Sequence, residues 1–246
     1  MTSSFQDRYR RIRSRWNEDW WSIAFAGPVA NVLDAAIADV RWITPNHLTW
    51  LAFLCKVGAA GLVLRGSYAA DVAAAMLFQL HAVLDCMDGT LARYRRASSA
   101  LGAFLDKVTD QIGLCAVMAC LGWRVAGETG DPHVLLVALG IAGSFLLRAY
   151  MFWVVAHLER EHAGAERTAG GELRRDISQL GLRERAALYA RSMIRIVGFA
   201  ESDMYFWLGL ALVLGRVHHA IYLLGAATGL WLVIIVVYRY RTVRAL

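Results

Sequence analysis

The sequence predicts an all-α integral membrane protein, with six transmembrane helices and an N-terminal amphipathic helix lying on the membrane surface. Three observations predict it. The 246 residues are 58% hydrophobic and only 19% charged, with a mean hydropathy of +0.42, which excludes a disordered chain and an ordinary soluble domain. Apolar runs recur at about 46–66, 68–90, 99–123, 133–158, 199–216 and 218–238, each near the ~20 residues that cross a bilayer. Arginines, finally, gather in alternate connections between these runs.

Residues 1–40 read as a cytoplasmic and juxtamembrane segment, and 41–246 as one six-helix membrane domain. In the first segment Arg8, Arg10, Arg11, Arg13 and Arg15 are interleaved with Tyr9, Ile12, Trp16, Trp20 and Trp21. That pattern suits a helix in the headgroup region and lacks the short apolar core of a secretory signal. Thr44-Pro45-Asn46 sets the start of the first span, because proline early in a helix removes an amide that has no partner there. The segment 159–182, with Gly164, Gly170 and Gly171 among alternating charges, is a polar connection, and parts of 183–198 would extend the fifth helix into the cytosol.

Six spans place both termini on one side. Arg93, Arg95 and Arg96, the eight arginines of 159–195, and Arg239, Arg241 and Arg244 share that side, whereas Arg65, Arg124 and Arg216 lie opposite. The positive-inside rule makes the first side cytoplasmic. The net charge of +6 is nearly all arginine, since Lys56 and Lys107 are the only lysines; membrane lipids are the expected surface, and no nucleic-acid partner is expected. The four cysteines (Cys55, Cys86, Cys115, Cys120) show neither a disulfide framework nor metal-ligand spacing.

Chemistry concentrates in an acidic constellation. Asp85 and Asp88 fall near the cytoplasmic end of the second span, Asp106 and Asp110 in the first half of the third. A carboxylate at membrane depth costs at least ~2.5 kcal/mol to insert, so four demand a cation or a function. Steps of three and four align Asp85, Asp88 and Ala92 on one helix face, and Gly102, Asp106 and Asp110 on another. Antiparallel neighbours would bring these stripes together, with Gly89, Ala92 and Gly102 leaving room for close approach. Clustered oxygen ligands suit a hard divalent cation such as Mg²⁺ or Mn²⁺, whose usual partner is a phosphate, and Arg93 stands ready for a phosphate oxygen. The bland alternative pairs the carboxylates with Arg93, Arg95, Arg96 and Lys107, but leaves the small residues unexplained.

Asp85-x2-Asp88-Gly89-x2-Ala92-Arg93-x8-Gly102-x3-Asp106-x3-Asp110 resembles the signature of the CDP-alcohol phosphatidyltransferase family, with no position substituted. The match covers 26 residues with eight fixed identities, and Pro45-Asn46 followed by Leu48-Thr49 resembles the family's stretch before its first span. The resemblance implies a homodimer of six-helix subunits, each with a cavity open to the cytosol. It implies that Asp85, Asp88, Asp106 and Asp110 hold two Mg²⁺ or Mn²⁺ ions, and that Asp110 is also the base for the acceptor hydroxyl. It implies that Asn46, Thr49, Asp85, Asp88, Gly89, Ala92, Arg93 and Gly102 bind the CDP group. The implied reaction moves a substituted phosphate from a CDP-linked donor, such as CDP-diacylglycerol, to a small polar alcohol, phosphorylated or not, and releases CMP in phospholipid synthesis.

Counted at 1.5 Å per residue, Lys56, Asp85, Asp110 and Arg148 lie at one depth, about ten residues from the cytoplasmic ends of their spans. Arg148 is therefore a candidate for an anionic acceptor or a structural ion pair, and Lys56 a candidate for either role. Arg191 and Arg195, one turn apart at the cytoplasmic mouth, are candidates for a phosphorylated acceptor or for headgroup anchors. Glu201 and Asp203 open the fifth span, where some inositol-phosphate-using relatives carry basic residues. His81 lies one turn before Asp85, and Gly225 with Gly229 forms a small-residue packing motif. Two alternatives stay open: a transferase using a soluble CDP-alcohol, and a cation- or proton-coupled transporter. The latter should repeat the aspartate cluster in the second half, which this chain does not.

Overall fold

A computed structural model describes residues 4–12, 19–163 and 201–244, together with positions 181, 183, 184, 187 and 190. Every regular element among the described residues is helical. They are α1 (Phe5–Ile12), a π-helical turn (Ser22–Ala26) running into α2 (Gly27–Ile37), α3 (Pro45–Val63), α4 (Tyr68–Tyr94), α5 (Ala100–Thr129), α6 (His133–Ala163), α7 (Glu201–Val213) and α8 (Val217–Arg244). Tyr68–Tyr94, His133–His162 and Val217–Arg244 are each long and apolar enough to cross a membrane.

The helix starts follow local capping chemistry. Thr44 accepts the His47 N–H while the His47 ring accepts the Thr44 N–H, a reciprocal cap with Pro45 in the first turn. Ser67 caps α4 on Ala70, and Ser99 caps α5 on Gly102. α4 ends with Arg96 in the left-handed region (φ 53°) and the Ala97 N–H bonded to the Ala92 carbonyl, the arrangement that closes many helices.

α4 is the central helix, packing on α3 along one side and α7 on another; α5 lies against α3 and α6, and α6 against α8. The main apolar core joins these helices through Phe78, Leu114, Met118, Leu121, Tyr205 and Leu208. Gly225 admits α6: a Cβ there would meet Val137 Cγ1 at 2.4 Å, whereas Gly229 faces open space. The pair of glycines thus supplies one contact inside the subunit. Large apolar side chains such as Leu223, Leu230 and Val233 stand exposed along α8, as expected for a surface solvated by lipid.

Two arginines tie the ends together. Arg124 of α5 forms a two-pronged ion pair with the buried Asp71 of α4 and also donates to the Val63 carbonyl at the end of α3. This satisfies a charge that the apolar run 99–123 excluded, and the helix continues past it to Thr129. At the opposite end Arg95 donates to the carbonyls of Ile37, Ala38, Val40 and Ile43, fastening α2 and the α2–α3 turn to the end of α4. α1 adds a small apolar contact of Ile12 and Tyr9 with Ala35, Ala38 and Tyr94. Residues 22–37 form a helix that the apolar-run reading does not single out.

Candidate active site

Antiparallel α4 and α5 bring the two aspartate stripes together. One carboxylate oxygen from each of Asp85, Asp88 and Asp106 lies within 4.8 Å of the others, a spacing compatible with a shared cation. The Thr49 hydroxyl of α3 donates to Asp88 Oδ2, and Lys107 Nζ sits 2.8 Å from Asp106 Oδ2. Three carboxylates converging with, among the described residues, one directly paired ammonium are a suitable donor set for a hard divalent ion.

Beside them opens a cavity of about 200 Å³. Asn46, Thr49, Asp88, Gly89, Ala92, Arg93 and Gly102 all line it, together with Asp106; Asp85 is the one expected nucleotide contact that does not. The small residues have a visible purpose. A Cβ on Gly89 would meet the Arg93 guanidinium at 2.9 Å, so the arginine lies folded over that glycine, steadied by the Thr90 hydroxyl at 3.2 Å. A Cβ on Gly102 would meet Asn46 Oδ1 at 3.1 Å, which draws α3 against the start of α5. The cavity is also lined by Ala97, Ser98 and Ser99 of the α4–α5 turn. No sequence-based expectation includes them; the signal that could have found them is the pair of serines before an apolar run.

Asp110 is outside this 4.8 Å triad but shares the Lys107 ammonium with Asp106, that Nζ lying 4.0 Å from its Oδ2. Its Oδ1 receives Lys56 Nζ at 2.7 Å, and the same ammonium reaches Glu201 Oε1 at 3.3 Å. Lys56 is fully buried and does not line the 200 Å³ cavity. The depth arithmetic that put Lys56 level with Asp110 thus brings the pair into contact, while Glu201 joins from 145 residues away, a pairing that spacing alone does not reveal. His81 completes the cluster: one of its nitrogens lies within 4.8 Å of Asp110 and Glu201 oxygens, and its ring meets Tyr205 edge-on.

Arg148 is partly buried, with its guanidinium 4.8 Å from the Phe145 ring centroid. Arg191 and Arg195 lie outside the described residues. Asp34 of α2, absent from every sequence-based expectation, is fully buried, and neither carboxylate oxygen has a hydrogen-bond partner among the described residues. Burial and the nearby charge of Asp88 push its pKa up to about 8, against the pull of Arg93 and Arg95.

A family model described as CDP-alcohol phosphatidyltransferase matches residues 42–231. The chain is 32% identical over 96 residues to phosphatidylinositol phosphate synthase of Corynebacterium glutamicum, covering 39% of this chain and 43% of that one. It is 30% identical over 139 residues to archaetidylinositol phosphate synthase of Aeropyrum pernix, covering 56% and 62%. It is 41% identical over 73 residues to the CDP-diacylglycerol–glycerol-3-phosphate 3-phosphatidyltransferase of Cereibacter sphaeroides, covering 29% and 33%. Each alignment therefore spans less than two thirds of the relative's length. Among solved structures, Mycobacterium tuberculosis phosphatidylinositol phosphate synthase with CDP-DAG bound superposes with a TM-score of 0.52 at 23% identity, covering 89% of this chain and 93% of that one, a likeness of fold.

Proposed function

The chain belongs to the CDP-alcohol phosphatidyltransferase family, and on that premise we propose that it transfers a phosphatidyl group from CDP-diacylglycerol to a phosphorylated polyol, releasing CMP at the cytoplasmic membrane face. The observation that carries this reading is the cavity. Seven residues expected at the nucleotide line one 200 Å³ space beside the Asp85–Asp88–Asp106 cluster. The names of the Corynebacterium and Cereibacter relatives support inositol phosphate and glycerol 3-phosphate as the acceptors to try first.

Asp85, Asp88, Asp106 and Asp110 would hold two Mg²⁺ or Mn²⁺ ions. Such ions, when bound, offset pyrophosphate charge and acidify the acceptor hydroxyl. Arg93 would pair with the pyrophosphate from its position over Gly89, and Gly89, Ala92 and Gly102 would border the nucleotide. Asp110 accepts the hydroxyl proton through Oδ2, the oxygen not bound by Lys56. The acceptor oxygen then bonds to the phosphorus that carries diacylglycerol, and the bond from that phosphorus to CMP breaks. Arg148, Arg191 and Arg195 are the proposed contacts for an acceptor phosphate.

The reading includes six spans formed by α3–α8, α1 and α2 at the cytoplasmic surface, both termini in the cytoplasm, and a homodimer. Purified protein supplied with CDP-diacylglycerol and divalent cations tests the reaction. CMP should appear with inositol 1-phosphate or glycerol 3-phosphate and much more slowly with inositol, glycerol or serine. No CMP from any CDP-linked donor with any of these acceptors overturns the assignment.

A further inference from the structure

Lys56 sits where a lysine is expensive. It is fully buried in the middle of α3, and a buried ion pair is no more stabilising than well-packed apolar residues of the same volume. Its ammonium has three protons to place and meets three oxygens: Asp110 Oδ1 at 2.7 Å, the Asp110 carbonyl at 3.4 Å and Glu201 Oε1 at 3.3 Å. Two of these belong to the residue assigned as base. The third comes from the first turn of α7, where Tyr205 donates to the same Glu201 oxygen at 3.4 Å. The Tyr205 ring centroid lies 5.8 Å from Lys56 Nζ.

The path of the lysine is also built into the sequence. Gly113 follows Asp110 by three residues, almost one turn along α5. A Cβ at Gly113 would stand 2.8 Å from Lys56 Cε, 2.9 Å from Cδ and 3.2 Å from Cβ. The lysine stem therefore crosses α5 through the space that this glycine leaves, and arrives at Asp110 from the core side. That contact fixes one carboxylate oxygen and leaves Oδ2 turned toward Lys107, whose Nζ is 4.0 Å away. Without the ammonium, Asp110 and Glu201 would face each other as like charges and the carboxylate would lose its anchor.

We propose that Lys56, threaded past Gly113 and braced by Glu201, is a positioning residue that fixes the orientation of the Asp110 carboxylate for proton abstraction. The assignment rests on the reaction proposed above. It differs from an acceptor-binding role for Lys56, because the ammonium is spent on Asp110 and Glu201. A base displaced by about 1 Å loses on the order of 10²-fold in rate, while donor binding depends on the opposite end of the cluster.

The test is steady-state CMP release by the full chain, with kcat, donor KM and acceptor KM measured separately. Lys56→Met should lower kcat by about 10- to 100-fold with both KM values within about threefold of the parent. Gly113→Ala, which displaces the flexible lysine stem without removing a charge, should lower kcat in the same direction. The double variant should be no slower than Lys56→Met alone, since both changes act on one contact. Glu201→Gln should give a smaller fall. A parent protein that releases no CMP rejects the transferase reading itself. With an active parent, a Lys56→Met kcat within twofold overturns the positioning role, as does a rise confined to acceptor KM. If Lys56→Met does not fold, Gly113→Ala decides: an unchanged kcat in that variant overturns the proposal.

Discussion

Arg95→Ala should release the N-terminal helix from the bundle. The Arg95 guanidinium donates to the Ala38 carbonyl at 3.1 Å, to Ile37 at 3.0 Å, to Val40 at 2.9 Å and to Ile43. The Ile37 and Val40 carbonyls also accept the N–H groups of Val40 and Ile43, so they keep a partner when the arginine is gone. Those of Ala38 and Ile43 lose a charged donor, at about 1.5 kcal/mol each near the low end for such bonds. The sum is about 3 kcal/mol, or roughly 6–12 °C in melting temperature for a chain of this size. Thermal unfolding in detergent, with the exposed Arg241→Ala as control, reads the first effect. Limited trypsin digestion reads the second, because the exposed Arg41 in the freed turn should be cut faster. An Arg95→Ala protein that melts with the parent and resists trypsin equally would show that these bonds do not hold α2 to the bundle.

Asp34→Asn should become progressively more stable than the parent as pH rises. The folded state holds the Asp34 proton up to about pH 8, whereas the unfolded chain releases it near 3.8. The stability this contributes is complete below 3.8 and is lost as pH rises toward 8. Between pH 5 and pH 7 the variant should gain about 2–3 kcal/mol on the parent; a constant difference in melting temperature across that range counts against it. Arg96→Gly should stabilise by about 1 kcal/mol, because a side chain is strained at φ 53°; an unchanged or lowered melting temperature contradicts this. In a background with the native cysteines replaced by alanine, Ala97→Cys should react with an impermeant thiol reagent only from the cytoplasmic side and Arg216→Cys only from the other. The same side for both breaks the topology.

Much of the site is readable from spacing because both stripes lie on continuous helices with fixed periodicity. Asp85, Asp88 and Asp106 converge as the i, i+3 and i+4 steps require, and residues 89, 92 and 102 line the cavity beside them. Helix ends are less legible where a charge is satisfied out of sequence. α5 outruns its apolar stretch because Arg124 finds Asp71, and α6 continues to Ala163 through a polar last turn. α2 depends on Arg95, whose partners lie 52 to 58 residues earlier. Glu201 is noticed only as an acidic opening to α7, since nothing local shows that it meets Lys56. Asp34 goes unmarked because a lone aspartate in a short apolar stretch looks like a surface residue, until the packing of α2 on α4 buries it.

The most direct test of the central claim is CMP release from CDP-diacylglycerol by metal-stripped protein, before and after Mg²⁺ or Mn²⁺ is restored. No release is expected in EDTA, with recovery on adding either ion and no recovery in Asp106→Asn under the same conditions, because the carboxylates need a divalent cation before they tolerate a pyrophosphate beside them. Release at the full rate from metal-free protein would contradict it.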